Sequence, residues 1–310
     1  MRIVAPAAPF SETTETGHRP GIRARCYRWL LIGAGHLPLP MLHALGALLG
    51  WLLWVSPSKQ RRITLQNLGL CLPRLSDRAR RSLARRSLIH SGQSLLEAAA
   101  IWFGPEQRLR RWLHHPEAER TLRAANASGP VIVLSAHIGA WELAGMFCSA
   151  NGRITSIYKP QSLYFDALIR EGRERLHAKL VPSTGSGVKH LLLALQRAEM
   201  IGVLPDHDPP LGSGAFAPLF GISAHTSTLP MRLAQRTQAT VWWCYAERLR
   251  GSRGFRMHVK PFPIAIGAGE PSVAALNLAV EGVVRHLPEQ YWWSYARFRH
   301  RPKGEPAAYH

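Results

Sequence analysis

The pair His137 and Glu142 is the part of this sequence best suited to chemistry. A histidine can take a proton from a hydroxyl group, and a carboxylate beside it can hold the imidazole in place. Five residues of continuous helix turn by about 500°, which leaves two such side chains roughly 140° apart. The pair can therefore cooperate only if His137 precedes a helix and Glu142 lies in its first turns. A purely structural histidine is the alternative that this spacing leaves open.

The elements around His137 fit that requirement. The β-branched run 131–136 predicts a buried strand, and a helix is expected over about 140–150. His137 would then lie where a strand leads into a helix, which is a common position for active sites in α/β folds. Gly139 permits the tight bend that this connection needs, and the positive end of the helix disfavours a protonated imidazole.

Strand-like and helix-like segments alternate in the second half of the chain. Further strands are expected at 153–158, 200–204, 240–246 and 255–260. Further helices are expected at about 164–179, 187–198, 227–237 and 271–286. This alternation predicts an α/β fold with a mostly parallel or mixed sheet flanked by helices. Helices are also expected upstream at about 76–103, at 105–113 and after residue 116.

The charge of the chain points to an anionic partner. Lys and Arg number 39 against 19 Asp and Glu, which gives a formal net charge of +20 over 310 residues. The basic residues concentrate between Lys59 and Arg111. An anionic membrane surface, a phosphorylated substrate and nucleic acid are all suitable partners, and a solvated helix face is the simpler alternative. No nucleic-acid-binding motif is present, so we expect no nucleic-acid partner.

The stretch 29–58 contains no Asp, Glu, Lys or Arg and adjoins the basic region. Its uninterrupted apolar part, 41–55, is shorter than the roughly 20 residues of a transmembrane helix. A proline-kinked span, a shallow hairpin and a helix in the membrane interface all remain open, as does a buried pair of soluble helices. We favour membrane attachment, for which Trp29, Trp51 and Trp54 suit an interfacial depth.

These features divide the chain into five segments. We expect a disordered leader at 1–26, a membrane anchor at 27–56, a basic helical region at 57–128, an α/β core at 129–304 and a tail at 305–310.

Metal-binding patterns are weak in this sequence. The four cysteines are scattered without a CxxC pair, which argues against a zinc site and favours free thiols in a reducing compartment. The run Asp206-His207-Asp208 follows an expected strand and contains metal-ligand types. Consecutive residues of one loop rarely supply a full ligand shell, so we interpret this run as a polar wall of the site.

Several further motifs accompany the HxxxxE spacing of His137 and Glu142. They occur in the order 67–73 (NLGLCLP), 158–160 (YKP), 204–208 (LPDHD), 288–293 (PEQYWW), 297–298 (RF) and 301–302 (RP). In these motifs the chain resembles the late acyltransferases of lipid A biosynthesis, the lauroyl/myristoyl transferase family. The resemblance extends from about residue 27 to residue 301. Lys159 stands where this family commonly has Arg, which keeps the charge but loses bidentate geometry.

The resemblance implies a fold like that of the glycerophosphate acyltransferases and a membrane-bound enzyme. The enzyme would lie at the cytoplasmic face of a Gram-negative inner membrane. It would transfer a fatty acyl chain from acyl carrier protein to a hydroxyl of a phosphorylated lipid A precursor. Both partners are anionic, which agrees with the net charge. No metal and no bound cofactor are implied.

The resemblance also implies roles for single residues. His137 would act as general base, and Glu142 would orient its imidazole. An arginine about one helix beyond the second strand would lie near the site and bind substrate, and of the two candidates, Arg173 and Arg175, we favour Arg175. Asp206 would fix that arginine or line the site, and Lys159 would add positive charge for substrate binding.

Two other functions are compatible with parts of the sequence. The first is acyl transfer to another glycolipid or to a lysophospholipid, although that sister group usually carries Asp in place of Glu142. The second is a basic protein without enzymatic activity that binds an anionic membrane or nucleic acid.

Overall fold

A six-stranded sheet lies at the centre of the chain in this computed structural model, which describes residues 22–262 and 270–309. Its strand order is β3-β2-β4-β1-β7-β8, with five parallel strands and an antiparallel edge strand, β8. These strands are β1 (Val131–Leu134), β2 (Ile154–Tyr158), β3 (Ala178–Pro182), β4 (Met200–Val203), β7 (Thr240–Arg248) and β8 (Phe255–Pro261). A separate antiparallel hairpin consists of β5 (Gly214–Leu219) and β6 (Ile222–Ser227).

Helices surround the sheet. The first six precede it and are α1 (Ile22–His36), α2 (Leu39–Val55), α3 (Lys59–Cys71), α4 (Asp77–Phe103), α5 (Glu106–Leu113) and α6 (Pro116–Ala127). The others alternate with the strands and are α7 (Trp141–Asn151), α8 (Leu163–Arg173), α9 (Gly185–Gln196), α10 (Leu229–Thr237) and α11 (Glu270–His286). Ser76 caps α4 by accepting a hydrogen bond from the Ala79 amide.

Both faces of the sheet are buried. Ile132 and Leu134 belong to one hydrophobic cluster, whereas Val131 and Val133 belong to a second cluster on the other face. Successive side chains of a strand point to opposite faces, so helices cover the sheet on both sides. The prediction of an α/β fold with a mostly parallel sheet flanked by helices is therefore confirmed.

The predicted strands occur within two residues of their expected bounds, but three observed strands were not predicted. Strand β3 falls partly inside the helix expected at 164–179, because α8 ends at Arg173 and the chain then extends to form the sheet edge. The hairpin of β5 and β6 escaped detection because its residues show little alternation and Pro218 lies within it.

The N-terminal helices pack closely on the long helix α4. A Cβ atom on Gly46 would lie 2.5 Å from the Cα atom of Gln93, and one on Gly92 would lie 2.1 Å from the Gly46 oxygen. The backbones of α2 and α4 therefore touch, which no larger residue permits at these two positions. Residues 1–21 of the leader predicted at 1–26 lie outside the described residues. Its last five residues belong to α1, which begins at Ile22.

No individual helix in the described ranges has both the length and the apolar character of a membrane span. Helices α2 and α3 meet those criteria when they are taken together, but they are bent by 80° relative to each other.

Candidate active site

Strands β1 and β4 bring His137 and Asp206 together. Leu134, the last residue of β1, pairs in parallel register with Val203, the last residue of β4. His137 and Asp206 each lie three positions beyond these strand ends. Since the carboxyl ends of parallel strands meet at one edge of a sheet, the two side chains converge there.

Asp206 holds His137 by its backbone and by its ring. The His137 amide donates a hydrogen bond to Oδ2 at 2.9 Å, and Nδ1 lies 3.0 Å from Oδ1. An ionised carboxylate only accepts hydrogen bonds, so Nδ1 carries a proton, and in the neutral ring Nε2 is the nitrogen with the free lone pair. The His137 side chain is 22% exposed, whereas Asp206 is fully buried. This is the arrangement of a general base and its orienting carboxylate.

Aromatic rings fix the plane of the His137 imidazole. The ring stacks on His207 with centroids 3.7 Å apart, and His207 stacks in turn on Tyr295 at 3.6 Å. Trp141 lies 5.5 Å from the His137 ring, between it and Glu142. Burial and the charge of His137 lower the pKa of His207 to about 3, so this neighbour is neutral.

Glu142 lies in the first turn of α7, as the five-residue spacing requires, but it does not orient the imidazole. Arg173 donates to its carboxylate through Nε and Nη2 at 2.9 and 2.5 Å. The indoles of Trp102 and Trp141 donate to the same carboxylate at 3.0 and 3.1 Å. These four donors fill its acceptor sites. The expected role of Glu142 is therefore corrected, since Asp206 is the carboxylate that binds His137.

The predicted substrate-binding residues are also reassigned. Arg175 donates to the backbone oxygens of Ile101, Trp102 and Gly104, so its guanidinium caps the end of α4. The structure therefore does not support the preference for Arg175 as the substrate-binding arginine. Asp206 fixes a histidine and not an arginine.

Arg173 is the arginine that lies at the site, while Lys159 is exposed just beyond the end of β2. Strand β2 adjoins β4 in parallel, so Lys159 lies at the same edge of the sheet as Asp206.

The loop between His137 and α7 has its own polar support. Gly139 has a φ of 58°, and a Cβ there would lie 2.0 Å from the Ala246 oxygen. Its carbonyl accepts hydrogen bonds from Ser94 Oγ at 3.0 Å and Arg248 Nη2 at 3.3 Å. Buried Glu97 in turn binds Arg248 Nη2 at 2.6 Å. Sequence reasoning missed this network because its members are far apart in the chain.

The C-terminal segment covers the same loop. The Trp292 amide donates to the His137 carbonyl oxygen at 2.9 Å. Asn67 Nδ2 donates to the carbonyl oxygens of Trp293 and Tyr295, at 2.7 Å in each case. Three of the sequence motifs therefore meet at the site although they lie more than 60 residues apart.

The cluster of His137, Asp206 and His207 has possible metal-ligand atoms within 4.8 Å of one another. The two imidazole planes, however, are only 5° from parallel. A metal ion binds in the plane of an imidazole at about 2.0–2.1 Å from the nitrogen. One ion cannot lie in both of these parallel planes, so the cluster fits proton transfer better than metal binding.

The charged groups of the site have shifted pKa values. Burial alone would raise the pKa of Asp206, but the charge and hydrogen bonds of His137 lower it well below its usual range. Burial would also raise the pKa of Glu142. The charge of Arg173 and the hydrogen bonds from Arg173 and the two indoles outweigh burial and lower this pKa. Burial and the charge of Arg248 lower the pKa of His90 to about 3.

These shifts predict a loss of stability in acid. His90 and His207 take up protons more readily when unfolded, so stability falls as the pH drops from about 6.5 toward 3. Asp206 and Glu142 add a further loss below about pH 4, where the unfolded carboxylates protonate first. The melting temperature measured between pH 7 and pH 3 should fall throughout. A melting temperature that is constant or rises toward pH 4 would contradict these assignments.

Comparisons with known proteins show which family the chain resembles. The family model for bacterial lipid A biosynthesis acyltransferases matches residues 23–300. The chain is similar to the lipid A biosynthesis lauroyltransferase of Escherichia coli (strain K12), with 27% identity over 91% of this chain and 92% of the relative. It is also similar to the lipid A biosynthesis palmitoleoyltransferase of that organism, with 26% identity over 91% of each chain.

A lipid A biosynthesis acyltransferase of Haemophilus influenzae (strain ATCC 51907 / DSM 11121 / KW20 / Rd) is 25% identical over 86% of each chain. The family match spans both the sheet edge with His137 and Asp206 and the segment that covers it. Since the family model matches residues 23–300, this chain belongs to the bacterial lipid A biosynthesis acyltransferase family.

Proposed function

We propose that this chain transfers a fatty acyl group from an acyl carrier protein to a hydroxyl of a lipid A precursor, a secondary acylation. The hydrogen bond between Asp206 and His137 Nδ1 carries this proposal, because it leaves Nε2 as an oriented base at the edge of the sheet. Family membership supports the class of reaction and the class of acceptor.

The transfer step follows from the tautomer of His137. Nε2 accepts the proton of the acceptor hydroxyl while the hydroxyl oxygen attacks the carbonyl carbon of the acyl thioester. Asp206 stabilises the imidazolium that forms. As the tetrahedral intermediate collapses, the carbon–sulfur bond breaks and the leaving thiolate takes the proton back from Nε2. The products are an ester on the acceptor and a free thiol on the carrier.

Arg173 is our candidate for stabilising negative charge at the site. It binds Glu142 through Nε and Nη2. We assign its Nη1 to an anionic oxygen of the substrate, either the developing oxyanion or a phosphate. Glu142 then acts by holding Arg173 and Trp141 in place beside His137. Lys159 adds positive charge at the same edge of the sheet.

The donor and acceptor classes agree with the charge of the chain. Acyl carrier protein is acidic and the lipid A precursor is phosphorylated, so both are attracted to a protein of net charge +20.

We also propose that the chain attaches to the cytoplasmic face of the inner membrane through its first two helices. Large apolar side chains are exposed there, among them Trp29 and Leu30 on α1 and Leu48, Trp51 and Leu52 on α2. Exposed apolar side chains of this kind fit a lipid environment, and tryptophan suits the interface.

Incubation of membranes that contain the chain with a lipid A precursor and acyl carrier protein thioester tests the reaction. Mass spectrometry should show a precursor that is heavier by one acyl group, and control membranes without the chain should leave its mass unchanged. Washed membranes should retain the chain. An unchanged precursor mass would contradict the proposal, and acylation of an added lysophospholipid in its place would favour the alternative acceptor.

A further inference from the structure

We propose that a cavity between α4 and α11 binds an anionic single-chain amphiphile, that is, an acyl chain that ends in a carboxylate or a phosphate. The cavity has a volume of about 680 Å³ and lies outside the residues that the transfer step uses. This volume falls within the roughly 300–1,000 Å³ of sites for small molecules.

The walls of the cavity are largely apolar. Leu75 lines it from the turn before α4 and Leu83 from α4 itself. Val284 lines it from α11, Phe220 from the turn between β5 and β6, and Trp293 from the C-terminal segment. Aliphatic and aromatic walls of this kind favour an occupant whose hydrocarbon surface leaves water when it binds. They suit an acyl chain better than a sugar or a nucleotide.

The rim of the cavity is basic. Arg78, Arg86 and Arg285 line it together with the apolar residues. In the part of the chain that the structure describes, Arg78 and Arg86 have no carboxylate partner, and Arg86 donates to the Ser82 hydroxyl at 2.8 Å. Arg285 lies over the Phe220 ring at 4.9 Å. Two unneutralised guanidinium groups beside an apolar pocket select a chain with an anionic end.

The cavity adjoins the proposed active site through its Trp293 wall. The preceding residue, Trp292, donates its amide to the carbonyl oxygen of His137. An occupant would therefore contact the segment that covers the catalytic loop. His137 itself does not line the cavity. Binding at this cavity can thus be measured independently of acyl transfer, and the proposal does not depend on the proposed function.

Photocrosslinking tests this site directly. The full chain is purified in dodecyl maltoside, exposed to dodecyl phosphate with a photoreactive group at its chain end, irradiated and mapped by mass spectrometry. We expect crosslinks within 72–86 and 284–293. The R78E/R86E variant should lose about tenfold or more of this labelling, because two charge-assisted contacts are lost.

The matched control is R81E/R85E, which changes the net charge by the same amount on the same helix. Arg81 and Arg85 are exposed and do not line the cavity, so labelling should stay within about twofold. His137→Ala should label like the unchanged chain, which separates this proposal from the proposed function. Competition by dodecanoate or by unlabelled dodecyl phosphate identifies the preferred anionic end.

Three results would overturn the proposal. They are equal labelling of R78E/R86E and the unchanged chain, equal labelling of the two segments by a neutral photoreactive dodecyl glucoside, and crosslinks that map outside both segments.

Discussion

Replacement of Asp206 by asparagine is expected to lower the rate constant of acyl transfer by about 10³–10⁴-fold. The Asp206 carboxylate accepts the Nδ1 proton of His137 at 3.0 Å. An asparagine amide can donate to an unprotonated Nδ1, which places the proton on Nε2 and removes the lone pair that the acceptor hydroxyl needs. The side chain keeps its size, so substrate affinity should change little. His137→Ala sets the lower limit of the rate, because it removes the base altogether.

The measurement is the initial rate of acyl transfer with saturating donor and acceptor, together with KM for each. Asp77→Asn is a matched control, since Asp77 is an exposed aspartate at the start of α4 with its side chain 82% accessible. A thermal melt checks that the Asp206→Asn chain is folded. A folded Asp206→Asn chain with a rate within about tenfold of the unchanged chain would refute the role of Asp206.

Replacement of Glu97 by methionine is expected to destabilise the chain by about 3–5 kcal/mol. Glu97 and Arg248 are both buried and share two hydrogen bonds, and His43 Nε2 lies 2.6 Å from the same carboxylate. Removal of the carboxylate leaves the Arg248 guanidinium charged and unpaired in the core. An uncompensated charge of this kind costs more than the loss of the pair as a whole.

The double variant Glu97→Met/Arg248→Met separates stability from function. It removes both charges, so most of the lost stability should return, as measured by urea unfolding. The rate of acyl transfer by the double variant should nevertheless be lower than that of the unchanged chain, because Gly139 has lost the Arg248 donor that supports the catalytic loop. A single variant as stable as the double variant would contradict the burial argument. Full activity of the double variant would show that Arg248 does not position the loop.

Strands with strong local patterns were predictable from the sequence. The β-branched run of β1 and the short apolar run of β4 determine their burial without help from the rest of the chain. Strand β3 and the hairpin of β5 and β6 depend on their neighbours. Ala178–Pro182 forms a strand because β2 offers an edge for it to pair with, and no local pattern encodes that edge.

The active site was predictable only in part for the same reason. His137 and its position before a helix followed from the sequence, but its partner carboxylate is 69 residues away. Glu142 is closer along the chain, yet Arg173 and two indoles occupy it. The parallel pairing of β1 with β4 was the missing information. With that register, equal offsets from the two strand ends would have identified Asp206.

We propose that His137, held by Asp206, is the base for acyl transfer to a lipid A precursor. The most direct measurement is the rate at which purified chain moves an isotope-labelled acyl group from acyl carrier protein to the precursor. The unchanged chain, His137→Ala and Asp206→Asn are assayed side by side. We expect transfer by the unchanged chain, none detectable with His137→Ala, and a rate about 10³-fold or more below normal with Asp206→Asn. Transfer by folded His137→Ala at the normal rate would contradict the proposal.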